Sequence, residues 1–239
     1  MNNIIKLSRS TVEKYLTCPR CCVLEKKFKI KPPSLPFTLN IAVDNLCKNE
    51  FDYYRRIKKP HPLFLENNIN AIPFNHEKID EWRSNFKGIR YISTEKNYNF
   101  GGAIDDVWQK TNGELIVADV KATSKNNFDW TETFNKYEYP KAYKRQLEMY
   151  QWLLKKNGFK VAEEAYLVYF NGNKNEAFFN KTMKFESHLV KLNCSTDWVE
   201  EKVEETVDLL RSDIFPKPSF HCEICNYLKK RWSLSQTLK

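Results

Sequence analysis

A mixed α/β domain built around a central sheet is the fold that this sequence predicts, and three features predict it. Two short apolar runs, "GGAIDDVW" and "ELIVADVKATS", flank the turn pair Asn112–Gly113, which reads as a β-hairpin. Apolar residues recur at helical spacing before it, at Leu39, Ala42, Val43, Leu46 and Phe51, and again after it in "PKAYKRQLEMYQWLLKKNGF". A further strand, "EEAYLVYF", and an amphipathic helix, "TDWVEEKVEETVDLLRS", complete a succession of helices, antiparallel strands and helix–strand–helix. That order puts helices around one sheet, and 239 residues suit a single domain over 1–239.

Each element has local grounds. Ser10 followed by Glu13 is a capping-box pattern, which predicts a helix from about Thr11 toward Cys18. "KPPSLPF" breaks the chain, and a second proline pair in "KKPHPLF" ends the helix that starts near Leu39. A short helix is expected in "HEKIDEWRSNF", after which "GIRYISTEKNYNFGGAIDDVWQ" turns to β structure. Pro140 suits the first turn of the next helix, and Asn157–Gly158 supply its stop.

Composition bounds the function. With 41% apolar and 29% charged residues the chain has no ground for disorder. A formal charge of +9, from 39 basic against 30 acidic residues, argues against an acidic, anion-repelling surface and admits a polyanion as partner. No apolar run approaches the roughly 18 residues of a membrane span, and the opening residues hold no signal-peptide core. A cytoplasmic location is expected, with the seven cysteines as thiols, core residues or metal ligands and not disulfides.

The hairpin carries an unusual load. Strand residues alternate faces, so Leu115, Val117, Asp119 and Lys121 share one face, and Asp119 and Lys121 stand about 6 to 7 Å apart along it. The opposing strand offers Asp105 and Asp106, one for each face. A two-residue turn would set Asp106 against Asp119; a connection one residue longer or shorter would set Asp105 there. Two carboxylates held together need a cation or a shared proton, and oxygen ligands of this kind suit Mg²⁺ or Mn²⁺. A lysine beside such an ion can orient a water and stabilise charge growing on a phosphate.

In order, "GGAIDDVW", "LIVADVKAT" and "QLEMY" resemble the successive motifs of the RecB-like branch of the PD-(D/E)XK nuclease superfamily. The resemblance covers nearly the whole chain. It implies a restriction-endonuclease-like mixed sheet flanked by helices. It also implies a Mg²⁺- or Mn²⁺-dependent deoxyribonuclease, exo- or endonuclease, of DNA repair, recombination or defence. Asp105, which follows "GxI", matches the family's metal-binding aspartate. Asp119 matches its second metal ligand, Val120 the residue that lends a backbone carbonyl, and Lys121 the catalytic lysine. Gln146 and Tyr150 match the helix after the catalytic strands and, at i and i+4, share one helical face. The family's preceding helix usually supplies a histidine in a pattern like "LGxAxHxxL". Here "LNIAVDNLCK" puts Asp44 in that place, a residue that can also ligate Mg²⁺.

Two Cys-x-x-Cys pairs, Cys18 and Cys21 in "CPRC" and Cys222 and Cys225 in "CEIC", total four thiolates, as a tetrahedral zinc ion or a cubane iron–sulfur cluster requires. A shared site would join residues 1–30 to 214–239 as a cysteine-rich subregion, clipping a very long loop. Their surroundings resemble CRISPR-associated and helicase-associated nucleases with an iron–sulfur staple. The last cysteine of that pattern has no counterpart here, and Cys21 takes its place. A structural 4Fe–4S cluster or Zn²⁺ is therefore expected. Cys22, Cys47 and Cys194 are expected in the core. The implied partners are single- or double-stranded DNA and a helicase or other repair or defence protein, with no membrane. "YYRRIKK" and "KAYKR" would set cations and aromatics beside the acidic centre, where a phosphate backbone runs. The rival is a nuclease-like fold that grips nucleic acid without cutting it; the departure at Asp44 favours it, and intact Asp105, Asp119 and Lys121 oppose it.

Overall fold

A computed structural model describes residues 4–237. In chain order these form β1 (Ile5–Ser8), α1 (Arg9–Thr17), α2 (Pro19–Lys26), α3 (Thr38–Ile57), α4 (Pro62–Glu66), β2 (Ala71–Pro73), α5 (Ile79–Arg83), β3 (Ile89–Ser93) and β4 (Tyr98–Gly102). They continue with β5 (Asp106–Lys110), β6 (Leu115–Thr123), α6 (Trp130–Lys136), α7 (Tyr139–Lys156), β7 (Val161–Gly172), β8 (Phe185–Asn193), α8 (Val199–Arg211) and α9 (Glu223–Thr237). The chain divides into two compact units, one of residues 4–35, 92–100 and 198–237, the other of 36–91 and 101–197.

The larger unit holds a five-stranded sheet in the order β2-β5-β6-β7-β8. Only β6 and β7 run parallel, joined by a crossover through α6 and α7; the other neighbours are antiparallel. Central β6 is buried without interruption from Leu115 to Val120, as a strand covered on both faces must be. Ile116, Ala118 and Val120 pack with Cys47 and Phe51 of α3 and with Phe64 and Trp108. The alternate face meets α7, whose Gln146 reaches Asp119. This is the expected mixed α/β fold, a central sheet between helices.

Turn length settles the register. Lys110 N–H donates to the Glu114 carbonyl, so three residues, Thr111 to Gly113, make the connection, with Gly113 at φ +83°. A three-residue hairpin wants a residue in the left-handed region at that position, and glycine takes it without steric cost. Asp106 then pairs with Ala118, which carries Asp105 to the place opposite Asp119.

In the smaller unit, α1 begins earlier than Ser10 and Glu13 predict. Ser8 is its cap: the Ser8 and Thr11 hydroxyls lie 2.9 Å apart, and Ser8 N–H donates to Thr11 Oγ1 at 3.3 Å. Strand β1 runs up to Ser8, so the chain must turn there, ahead of the Ser10–Glu13 pair. A three-stranded sheet follows the order β1-β4-β3. Helix α9 has no buried residue.

The run "YYRRIKK" also needs correction, because Arg55 is buried and spent. With Arg83 it clamps the fully buried Asp106: Arg55 Nη2 lies 2.7 and 3.0 Å from the two carboxylate oxygens, and Arg83 closes on one of them. Arg83 also donates to the Asp105 carbonyl at 3.0 Å. Removing one partner of a buried ion pair strands the other charge, at a cost of about 3–5 kcal/mol. Arg83 still pairs with Asp106 in Arg55→Ala, so that variant is expected to lose less, about 1–3 kcal/mol of unfolding free energy in urea titration, whereas Arg56→Ala, at an exposed position, changes it little.

Candidate active site and cysteine centre

Four elements converge on one patch of the larger unit. Helix α3 supplies Asp44 and Lys48, the bend just before β5 supplies Asp105, β6 supplies Asp119, Val120 and Lys121, and α7 supplies Gln146 and Tyr150. Asp105 uses one oxygen to accept from Val120 N–H at 3.0 Å and the other to accept from Lys48 Nζ at 3.0 Å. Lys48 also donates to Asp44 at 2.7 Å. Asp119, 1% exposed, is ion-paired with Lys121 through one oxygen and accepts from Gln146 Nε2 at 2.7 Å through the other. Gln146 Nε2 also donates to Tyr150 Oη at 3.2 Å. Every predicted residue of this set thus lies in one neighbourhood, and Asp105, not Asp106, stands in it.

Electrostatics follow from the crowding. Burial, then the charge of Asp105, push Asp119 up to about 7 although Lys121 pulls the other way. Burial and Asp105 likewise raise Asp44. Asp105 is held below the ordinary carboxylate range, because Lys48 and Lys121 outweigh its burial. The ammoniums of Lys48 and Lys121 are raised in turn, the neighbouring carboxylates outweighing burial.

Hard carboxylate oxygens suit a small dication, and Asp44 Oδ1 is buried with no hydrogen-bond partner among the described residues. The N–H and C=O of one strand residue project to the same side, so the Val120 carbonyl lies on the side where its N–H meets Asp105. These donors fit Mg²⁺ or Mn²⁺. They are less tightly gathered than the cysteines, the one group among the described residues whose ligand atoms all fall within 4.8 Å of each other. Lys48 lies outside the motifs that mark the other residues, although its i+4 spacing from Asp44 marks a shared helical face.

The cysteine centre belongs to the smaller unit. Cys18, Cys21, Cys222 and Cys225 meet with sulfur separations of 3.9 Å (Cys18–Cys225), 3.6 Å (Cys21–Cys222) and 3.5 Å (Cys21–Cys225). Bonds of about 2.3 Å to a tetrahedral zinc imply sulfur edges of about 3.8 Å, so this cluster can coordinate a metal ion. Burial opposes ionisation of Cys18, yet the amides of Ser219 and Cys21 and the neighbouring thiols bring it down to about 7. Burial and neighbouring thiols raise Cys21, and burial above all takes Cys225 to about 11. Cys22 and Cys47 are core residues, and Cys194 is half-buried.

The chain belongs to the PD-(D/E)XK nuclease superfamily, whose family model matches residues 39–229. No curated protein matches it in sequence. Among solved structures it is similar to SSO0001 at 17% identity, with a TM-score of 0.41 and 89% of this chain and 80% of that one covered. It is also similar to the alkaline exonuclease LHK-Exo of Laribacter hongkongensis at 11% identity, with a TM-score of 0.39 and 99% and 96% covered. Both likenesses are remote. No helix among the described residues is long and apolar enough to cross a membrane.

Proposed function

We propose that the protein is a metal-dependent deoxyribonuclease of the RecB-like, four-cysteine branch, working as one domain over its whole length. The observation that carries this reading is the meeting of Asp105, Asp119 and Lys121 at one point on the sheet, beside a cleft of about 610 Å³. Asp105 and Asp119, with the Val120 carbonyl and Asp44, would hold Mg²⁺ or Mn²⁺. When bound, such an ion supplies Lewis-acid stabilisation of phosphate charge and lowers the pKa of a water. Lys121 orients the water and meets the charge that grows on the phosphate. Gln146 fixes the rotamer of Asp119, and Tyr150 fixes Gln146. Lys48 neutralises Asp44 and Asp105, a charge balance that a bound dication would take over.

Labelled DNA incubated with Mg²⁺, Mn²⁺ or EDTA tests the reading. Cleavage with either ion and none with EDTA is expected; binding without cleavage under any ion would transfer the site to the rival, a non-cutting nucleic-acid binder. A pH dependence follows. A dication takes the carboxylate and not the acid, so its binding displaces the Asp119 proton. With Asp119 at about 7, Mn²⁺ affinity by calorimetry is expected to fall about tenfold per pH unit below that value and to level off above it.

Four thiols all within 4.8 Å of one another, three of their separations 3.5–3.9 Å, support a single tetrahedral ion, Zn²⁺, at the chain ends. Elemental analysis should find one zinc per chain; iron with sulfide would identify a cubane instead.

A further inference from the structure

The cleft beside Asp105 and Lys121 has walls that phosphodiester chemistry does not require. Tyr139 and Tyr143, one turn apart on α7, line it and meet edge to face with ring centroids 5.6 Å apart. Tyr137 stacks on Tyr139 at 5.6 Å, and Lys121 Nζ lies 4.6 Å from the Tyr143 centroid. A file of rings therefore runs from solvent, where Tyr137 and Tyr139 are 44% and 39% exposed, to the ammonium at Asp119. Packing alone would have buried these rings. Lys125 stands 5.8 Å from the Tyr139 centroid and donates to Tyr139 Oη and Thr133 Oγ1, which leaves one of its three protons for a ligand.

Another wall makes the case independently. Tyr169 pairs in register with Lys121 on the neighbouring strand, so both side chains stand on one face. It packs against Phe128 at 4.9 Å and is only 5% exposed, yet its hydroxyl has no hydrogen-bond partner among the described residues. A buried, unpaired hydroxyl is costly enough to call for an explanation, and an acceptor on a ligand in the cleft supplies one.

We propose that this cleft is a stacking subsite for an unpaired nucleotide of the substrate strand. The base lies against Tyr139 and Tyr143, Lys125 meets the adjoining phosphate, and the Tyr169 hydroxyl donates to the nucleotide. The substrate class is single-stranded nucleic acid, since a base inside a duplex has both faces covered and cannot reach the rings. This deepens the hydrolytic reading above and rests on it.

The test uses the full chain and a single-stranded oligonucleotide carrying 2-aminopurine, whose fluorescence falls on stacking, without added divalent ions. Binding with quenching is expected, with the same sequence in duplex bound more weakly and its fluorescence, already low from stacking inside the helix, left unchanged. Tyr139→Leu should raise Kd about tenfold and restore fluorescence. Tyr169→Phe should weaken binding severalfold with no fall in Tm, because it removes only an unpaired hydroxyl; a role in folding would lower Tm instead. Unchanged Kd and quenching in both variants, no binding at all, or equal binding of the duplex would overturn the subsite. Cleavage with Mg²⁺ is scored separately. Variant-sensitive binding without cleavage supports the subsite and sinks only the hydrolytic reading, whereas cleavage with variant-insensitive binding sinks only the subsite.

Discussion

Replacing Lys121 by Met, or Asp119 by Asn, is expected to lower single-turnover cleavage of DNA about 10²–10³-fold or more, the loss that follows removal of one preorganised charge from a reacting centre. Both variants keep most of the local packing. Asp119→Asn retains a carbonyl oxygen that can accept from Gln146, and Lys121→Met retains the stem that runs beside Tyr143. Neither should unfold the protein. Lys121→Met removes the ammonium that holds Asp119 down, so burial is left to raise Asp119 further and the proton becomes harder to displace. Its defect should therefore deepen at low pH. Groups that act as one unit lose rate non-additively, so the double variant should be scarcely worse than either single one. Cleavage within tenfold of wild type in Asp119→Asn, with intact Tm, would mean that the centre lies elsewhere.

The alternation of "LIVADVKAT" is enough to put Asp119 and Lys121 on one face, because strand periodicity is a local property of the chain. The partner of Asp119 is a different matter. It depends on whether two or three residues close the hairpin, and Asn112–Gly113 is compatible with either; only the bond from Lys110 to Glu114 decides for Asp105. Spending Arg55 on Asp106 is likewise invisible locally, since the two residues lie 51 positions apart and a basic run looks the same whether it faces solvent or an acid. Strand β8 is not legible in the sequence because it is an edge strand: "FESHLVKLN" is mostly exposed and lacks the apolar alternation that marks a covered strand. The four cysteines are legible by count and spacing, and they meet within 4.8 Å; that Cys21 serves for the missing family cysteine is an inference of number.

Metal removal should have its largest effect on α9. That helix buries none of its residues, so apolar packing contributes little to holding it, and Cys222 and Cys225 are its ties to Cys18 and Cys21. Binding of a structural zinc ion is worth about 10–16 kcal/mol of apparent free energy and goes directly into folding. Taking away one thiolate by Cys18→Ser, or the ion by a strong chelator, is accordingly expected to release residues 223–237. They should lose amide protection in hydrogen exchange, and trypsin should cut at Lys229, Lys230 and Arg231. Proton coupling gives the effect a direction with pH. Cys18 is ready to ionise at about 7, but Cys225 is held at about 11 and would have to lose its proton to solvent for an ion to bind there, so chelation should be easier as the pH falls. Cys22→Ser is the control, a buried thiol outside the cluster whose loss should cost stability without changing metal content. Full metal content and unaltered protection of α9 in Cys18→Ser would show that the four sulfurs do not share an ion.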